Sequence, residues 1–393
     1  MNKTTHFNLN HQIRNLEISK IRQFDDHVST FEPLIRLTLG QPDFPTPEHV
    51  KEAAKKAIDS DYSFYTRTAG DIKLREAASA FAAAKYELSY DPESEIIATV
   101  GATEALATTL FTLLNPGDYV LIPSPFFSLY DSLVKMSQAT PVYMDTSETG
   151  FMVTPDLIEK TIQSLDKTPK AIILNYPNNP TGITWTEAEV KGIALTLSNY
   201  PKMLAVSDEI YSELVYDDTH VSLGKHLRDQ TIVINGLSKS HAMTGWRLGL
   251  IFAPELITFE LVKTHQSLVT SASTVTQYAG IEALVNGQDD ALPMKAAYKE
   301  RRRVVMQTLQ ELNLEVTEPK GAFYIFAALP KGLKMSSYDF CYGFAEGYRV
   351  AMIPGDAFGA AGEGYFRISY ASSLEDIKTA MVRLTDYVNT LRK

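Results

Sequence analysis

The sequence predicts an α/β fold in which a largely parallel sheet carries helices on both faces and joins a second, smaller α+β unit. Between residues 96 and 252, six short runs rich in Val, Ile and Leu alternate with helical periodicity or long connections. Strands that pair in parallel need such crossovers. From about residue 284 the pattern changes to long amphipathic helices with few strands. The chain has 393 residues, 45% of them hydrophobic, which is length and apolar content enough for two domains with a sizeable core.

After a polar lead-in, Pro42, Pro45 and Pro47 interrupt the chain, and Thr46-Pro47 is expected to cap a helix over 47–59. A second helix is expected over 71–87. Strands follow at 96–100, 119–122, 171–174, 203–206, 231–234 and 248–252, and two more, at 323–326 and 366–370, belong to the smaller unit. The expected division places 45–283 in the large domain, with 1–44 and 284–393 in the small one.

Lys and Arg total 37 against 47 Asp and Glu, and a net charge of −10 disfavours nucleic acid and anionic membranes as partners. The single cysteine, Cys341, excludes an internal disulfide and a thiolate metal cage. With no leader-like start and no stretch of 18 uninterrupted apolar residues, a soluble cytoplasmic protein is expected.

In a parallel sheet, ligands bind beyond the carboxyl ends of the strands, and the residues there are polar. Gly101-Ala102-Thr103 opens a helix after a strand and so offers free N–H groups to an anion, although a simple tight turn has the same pattern. Asn175 through Gly182 holds two prolines and a glycine, a rigid turn that can present the Asn179 amide to a ligand oxygen. Asp208 ends an apolar run, where a carboxylate calls for a cation opposite, and Tyr211 can turn into the same place or pack. Lys239, after Ser238 at another strand end, becomes a nucleophilic amine where neighbouring cations and apolar walls lower its pKa. Arg247 offers a planar fork for phosphate oxygens. Read singly, each is an ordinary turn, salt bridge or surface pair. Together they suit a phosphorylated pyridine aldehyde, with Lys239 as the amine and Asp208 holding the ring nitrogen.

With these residues the chain resembles the class I/II aminotransferases of fold type I, which depend on pyridoxal 5′-phosphate. The likeness runs through Leu39-Gly40-Gln41-Pro42-Asp43-Phe44, Tyr65-Thr66 with Gly70, Gly101-Ala102-Thr103, Asn178 to Gly182, Ser207 to Tyr211, Ser238-Lys239 to Gly249, and Pro354-Gly355 with Arg367-Ile368-Ser369. It implies a mainly parallel seven-stranded sheet in the large domain and a small domain built from both termini. It also implies that Lys239 bears the cofactor as an imine and that Asp208 holds the pyridinium. Asn179 and Tyr211 would contact the ring oxygen, and Phe127 would stack on the ring. Ser238, Arg247, Gly101, Ala102 and Thr103 would form the phosphate site. Arg367 would bind the substrate α-carboxylate beside Gly40 and Asn175. Family members are commonly homodimers in which the tyrosine at position 65 reaches the neighbouring subunit's phosphate.

The segment 227–241 looks closest to bacterial aromatic-amino-acid and N-acetyl-LL-diaminopimelate aminotransferases. The implied partners are an amino acid and a 2-oxo acid such as 2-oxoglutarate. A carbon–sulfur β-lyase of the same fold is the alternative, because cofactor motifs do not set which bond breaks. Arg67 is a candidate for a distal charge or a surface arginine, and Phe44, Phe126, Tyr130 and Tyr324 are candidates for an aromatic pocket or for core. Ser132-x-x-Lys135 has the spacing of serine acyl-transfer enzymes but lacks the companion Lys-Thr-Gly. Gly355 to Gly364 reads as a flexible approach to Arg367, His220 and His226 as solvated, and no metal site is expected.

Overall fold

Strands built from Ile, Val, Leu and Ala are buried on both faces here, as a helix-covered parallel sheet requires. The structure, a computed structural model, describes residues 9–393. Its strands are β1 (Ile35–Arg36), β2 (Ile96–Thr99), β3 (Tyr119–Ser124), β4 (Thr140–Asp145), β5 (Ala171–Asn175), β6 (Leu204–Asp208), β7 (Thr231–Gly236), β8 (Gly249–Phe252), β9 (Tyr324–Ala328), β10 (Val350–Ala351), β11 (Ile353–Pro354) and β12 (Tyr365–Ser369). The central sheet has seven strands in the order β2-β8-β7-β6-β5-β3-β4. Only β8 runs antiparallel to its neighbours.

Alternation along the strands feeds two apolar layers. Ala98, Leu250 and Phe252 face one, against the helices Glu48–Asp59, Ile72–Tyr86 and Thr274–Asn286. Ile97 and Ile251 face the other, against Gly101–Leu113 and Glu255–Val269. The helix Thr274–Asn286 spans the expected 283/284 division and packs on Glu48–Asp59 and Ile72–Tyr86. Strands β11, β12 and β9 form a separate antiparallel sheet, and β1 from the amino-terminal part pairs in parallel with β10. Among the described residues, no helix is long and apolar enough to cross a membrane.

Three expectations need correction. Strand β4 has no counterpart among the predicted runs. Pro141 and a half-exposed pattern disguise it, and both are tolerable because β4 is an edge strand. Thr46 does not cap the helix Glu48–Asp59. Pro47 occupies the cap position, and the Thr46 hydroxyl donates to Ala242 O at 2.8 Å instead. Gly355 to Gly364 is a pair of packed 3-10 turns, not a flexible approach: a Cβ on Gly355 would lie 2.0 Å from Gly362 O.

Candidate active site

The sheet topology gathers chemistry at one edge. Asn175 and Asp208 are the last residues of adjacent parallel strands and sit side by side in register. Strand β7 ends at Gly236 and leads into the short helix Leu237–Ser240, which carries Ser238 and Lys239. Because β8 runs the other way, its beginning lies at this same edge and delivers Arg247. The exit of β2, paired with β8, delivers the helix Gly101–Leu113 there too.

A cavity of about 660 Å³ opens at this edge. Of the residues expected to form a site, Gly40, Ala102, Thr103, Phe127, Asn175, Asn179, Asp208, Tyr211, Ser238, Lys239, Arg247 and Arg367 all line it. Gly101 stands behind the lining. Its φ is +75°, and a Cβ there would lie 2.5 Å from Arg247 Nη2, so the arginine crosses the helix start only because no side chain is present. Tyr65 does not line the cavity of its own chain and is 84% exposed.

Lys239 Nζ donates to Gly40 O at 2.6 Å. Burial, reinforced by Arg247 and Arg367 and opposed by Asp208, lowers its pKa to about 8. The Asp208 carboxyl is pushed up to about 6 by burial, against the pull of the Tyr130 hydroxyl, the Ile210 amide and Lys239. Tyr130 donates to Asp208 Oδ2 at 2.7 Å, Ile210 N donates to Oδ1 at 3.3 Å, and Asn175 Nδ2 donates to the Asp208 carbonyl at 2.9 Å. No basic side chain of the described residues lies within 4 Å of this carboxylate, so the cation that the sequence calls for does not come from the chain as an ion pair.

Arg367, only 2% exposed, donates from Nη1 to Asn179 Oδ1 at 2.9 Å and from Nη2 to Thr38 O at 2.7 Å. Its Nε has no partner, and the guanidinium lies over the Tyr324 and Phe358 rings at 4.4 and 4.9 Å. Burial lowers its pKa. A buried guanidinium with no carboxylate within 4 Å among the described residues leaves its charge unbalanced and so suits an anion. The Tyr211 hydroxyl meets that of Tyr324 at 2.8 Å, and burial pushes the Tyr211 phenol well above its usual range. Thr181 N and Oγ1 both bond to Asn178 Oδ1, and Asn179 N bonds to Asn175 Oδ1 at 3.0 Å, which makes the expected turn rigid.

Arg247 donates to Thr244 O at 3.0 Å and reaches Thr103 Oγ1 at 3.5 Å, and no carboxylate of the described residues faces it. Beside it stand the Ser238 hydroxyl and the free amides that open Gly101–Leu113. These residues fit a phosphate, and Asp208 fits a cationic ring nitrogen.

The cavity also contains residues not assigned from the sequence. Thr38 supplies the carbonyl that holds Arg367, and Ser19, Ile21, Arg22, Asp25 and Asp26 enter from the segment around the helix Lys20–Val28. A polar face beside buried Phe24 and Val28 is the only sequence signal for them. Of the aromatic candidates, Tyr130 and Tyr324 line the cavity, while Phe44 packs edge-on against Tyr298 and Phe126 stacks on Tyr143. Arg67 pairs with Glu93 at 3.3 Å and lies outside the lining. Ser132 donates to Ser128 O at 3.3 Å, and Lys135 pairs with Asp131 at 2.8 Å, so the two form no nucleophile–base couple. His220 is not solvated: its side chain is buried against Glu209 at 2.8 Å, while His226 pairs with Glu187 at 2.9 Å. Among the described residues, no three His, Cys, Asp or Glu are grouped to hold a metal ion.

Residues 32–384 match the family model for aminotransferase class I and II. The chain is 46% identical to a probable N-acetyl-LL-diaminopimelate aminotransferase of Bacillus subtilis, covering 97% of this chain and 95% of that one. It is 40% identical to an aspartate aminotransferase of Pyrococcus horikoshii, covering 93% of each chain. The solved aromatic aminotransferase from Pyrococcus horikoshii superposes with a TM-score of 0.87 at 35% identity, over 95% of this chain and 99% of that one.

Proposed function

The chain belongs to the class I and II aminotransferases, and from that premise we propose that it holds pyridoxal 5′-phosphate at Lys239 and moves an amino group between an L-amino acid and a 2-oxo acid such as 2-oxoglutarate. The amino acid in this reading is aromatic or N-acetyl-LL-diaminopimelate, in keeping with the names of its relatives. One observation carries the reading: the cavity that holds the Lys239 amine also holds Arg367, a buried guanidinium with an unpaired Nε. A nucleophilic amine and a carboxylate receptor in one enclosure suit an α-amino acid.

When bound, pyridoxal phosphate supplies an aldehyde carbon and a ring able to take up the electron pair left as the substrate Cα proton departs. In our reading, Lys239 would hold the aldehyde carbon, and its amine is the base that would take the proton from the substrate Cα. Its lowered pKa keeps a useful fraction of neutral amine near neutral pH. Asp208 would hold a protonated ring nitrogen, and it is itself held by Tyr130. The Asn179 Nδ2 and the Tyr211 hydroxyl would hold the ring oxygen, and the Phe127 ring would form one wall. Ser238, Arg247 and the amides of Ala102 and Thr103 would hold the phosphate, with Gly101 leaving room for the arginine. Arg367 takes the α-carboxylate, with Gly40 and Asn175 closing the same corner.

We also propose a cytoplasmic homodimer in which the exposed Tyr65 ring completes the neighbouring subunit's phosphate site. We propose that residues 45–283 form a large unit and the two ends of the chain a small one, a division supported by the β1–β10 pairing. Incubating purified protein with an amino-acid panel and 2-oxoglutarate tests the activity. Glutamate with the matching 2-oxo acid is expected. Pyruvate and ammonia formed without any acceptor would instead establish the β-lyase.

A further inference from the structure

Tyr211 and Tyr324 bring their hydroxyl groups together at 2.8 Å in the cavity, and only Tyr211 has a place in the reading above. Tyr324 opens β9 and is 1% exposed. Three contacts fix it. The Arg367 guanidinium lies 4.4 Å from the centre of its ring, the Tyr211 ring stands edge-on at 5.7 Å, and Gly40 closes the space beside its hydroxyl, where a Cβ would lie 2.9 Å from the oxygen. That hydroxyl makes no other hydrogen bond among the described residues. Burial raises the pKa of both phenols, so both keep their protons at neutral pH. Each phenol has one proton to donate. With the Tyr211 proton directed at a ligand oxygen, the Tyr211 oxygen is left as acceptor, and the proton between the two hydroxyls belongs to Tyr324.

We propose that Tyr324 is a positioning residue that acts through Tyr211: by donating to the Tyr211 oxygen it turns the Tyr211 proton toward the ring oxygen of the cofactor and strengthens that donor. This rests on the reading of the cavity as a pyridoxal-phosphate site. Hydrogen bonds in a chain polarise one another, most of all where water is excluded. With pyridoxal phosphate bound, its ring oxygen would share a proton with the Lys239 nitrogen. A stronger donor on that oxygen weakens its hold on the shared proton, which then leaves at a lower pH. Because the Tyr324 ring also backs Arg367, removing the hydroxyl alone separates this role from packing.

The test is a pH titration of the visible absorption of the pyridoxal-phosphate-loaded protein, which needs no substrate and no turnover. Tyr324→Phe is expected to move the midpoint upward by roughly half a pH unit, since the outer bond of a chain strengthens the inner one by only a fraction. Tyr211→Phe moves it further, and adding Tyr324→Phe to that variant moves it no more. Tyr370→Phe serves as the control: it removes a buried hydroxyl 3.2 Å from that of Tyr216, outside the cavity lining, and leaves the midpoint in place. A Tyr324→Phe protein with the wild-type midpoint, or a shift that persists in full on top of Tyr211→Phe, overturns the assignment and leaves the aminotransferase reading standing. A wild-type protein that develops no visible colour with pyridoxal phosphate overturns both.

Discussion

Arg367 Nη1 lies 2.9 Å from Asn179 Oδ1. An arginine offers only donors, so the contact fixes which way the amide points: the oxygen faces the guanidinium, and Nδ2 is left as a donor at the cavity. The α-carboxylate receptor and the amide donor are thus aligned as one unit.

Replacing Arg367 by Gln removes the guanidinium and frees the Asn179 amide to turn. Truncating one member of a buried charge pair typically costs about 3 kcal/mol, so kcat/KM for amino acids should fall by roughly 100-fold or more. Pyridoxal phosphate affinity should change far less, because Arg367 does not belong to the phosphate grip. Steady-state kinetics together with a cofactor titration check both halves. Equal losses in the two would refute the division of labour.

The Lys239 amine sets the pH response of the cofactor-free protein. Its capture of added pyridoxal phosphate should speed up as pH rises through about 8, where the folded lysine loses its proton. Stability responds as well. Between the ordinary 3.8 and about 6, folded Asp208 keeps a proton that the unfolded chain has lost, so stability falls as pH rises through that window. Between about 8 and 10.5 the unfolded lysine holds the extra proton, and stability rises with pH. Stopped-flow capture rates and denaturant unfolding at stepped pH test these signs. A capture rate still climbing with a midpoint near 10.5 would contradict them.

Gly101→Ala places a methyl 2.5 Å from Arg247 Nη2 at a backbone φ of +75°. The arginine must leave the helix start, and the left-handed backbone adds about 1 kcal/mol of strain. Cofactor affinity should drop about tenfold, with a small loss of thermal stability. Equilibrium dialysis against pyridoxal phosphate measures the first, and retention of full affinity would show that Arg247 needs no such clearance.

Tyr130→Phe removes the hydroxyl 2.7 Å from Asp208 Oδ2. That hydroxyl lowers the carboxyl pKa, so without it the pKa should rise further above about 6. Leaving the buried oxygen unpaired costs on the order of 1–3 kcal/mol. Infrared titration of the carboxyl band in cofactor-free protein reads the shift directly, and a band that titrates at the same or a lower pH would rule out Tyr130 as the partner that matters.

Most of the site was legible because it lies just beyond strand ends, where short polar groups such as Gly101-Ala102-Thr103 and Ser238-Lys239 stand out against apolar runs. Arg247 was legible as an arginine eight residues beyond Lys239, although it precedes its strand instead of following one. Its presence at the site depends on β8 running antiparallel. Strand β4 was hidden by Pro141. Tyr130 and Arg22 look like any polar or aromatic residue on an amphipathic helix, and His220 looks like a loop residue until Glu209 is found against it.

Residue chemistry and local pattern were thus enough to specify a sheet-edge site with an amine, a carboxylate and an anion-binding helix start, because each of these features is set by the few residues around it. Folding settled the charge balance: which cation goes unpaired, which hydroxyl meets Asp208, and which end of Asn179 faces the cavity. Such contacts join residues far apart in the chain, 188 positions in the case of Arg367 and Asn179. Their existence depends on how helices and sheets pack in three dimensions, and local periodicity does not encode that.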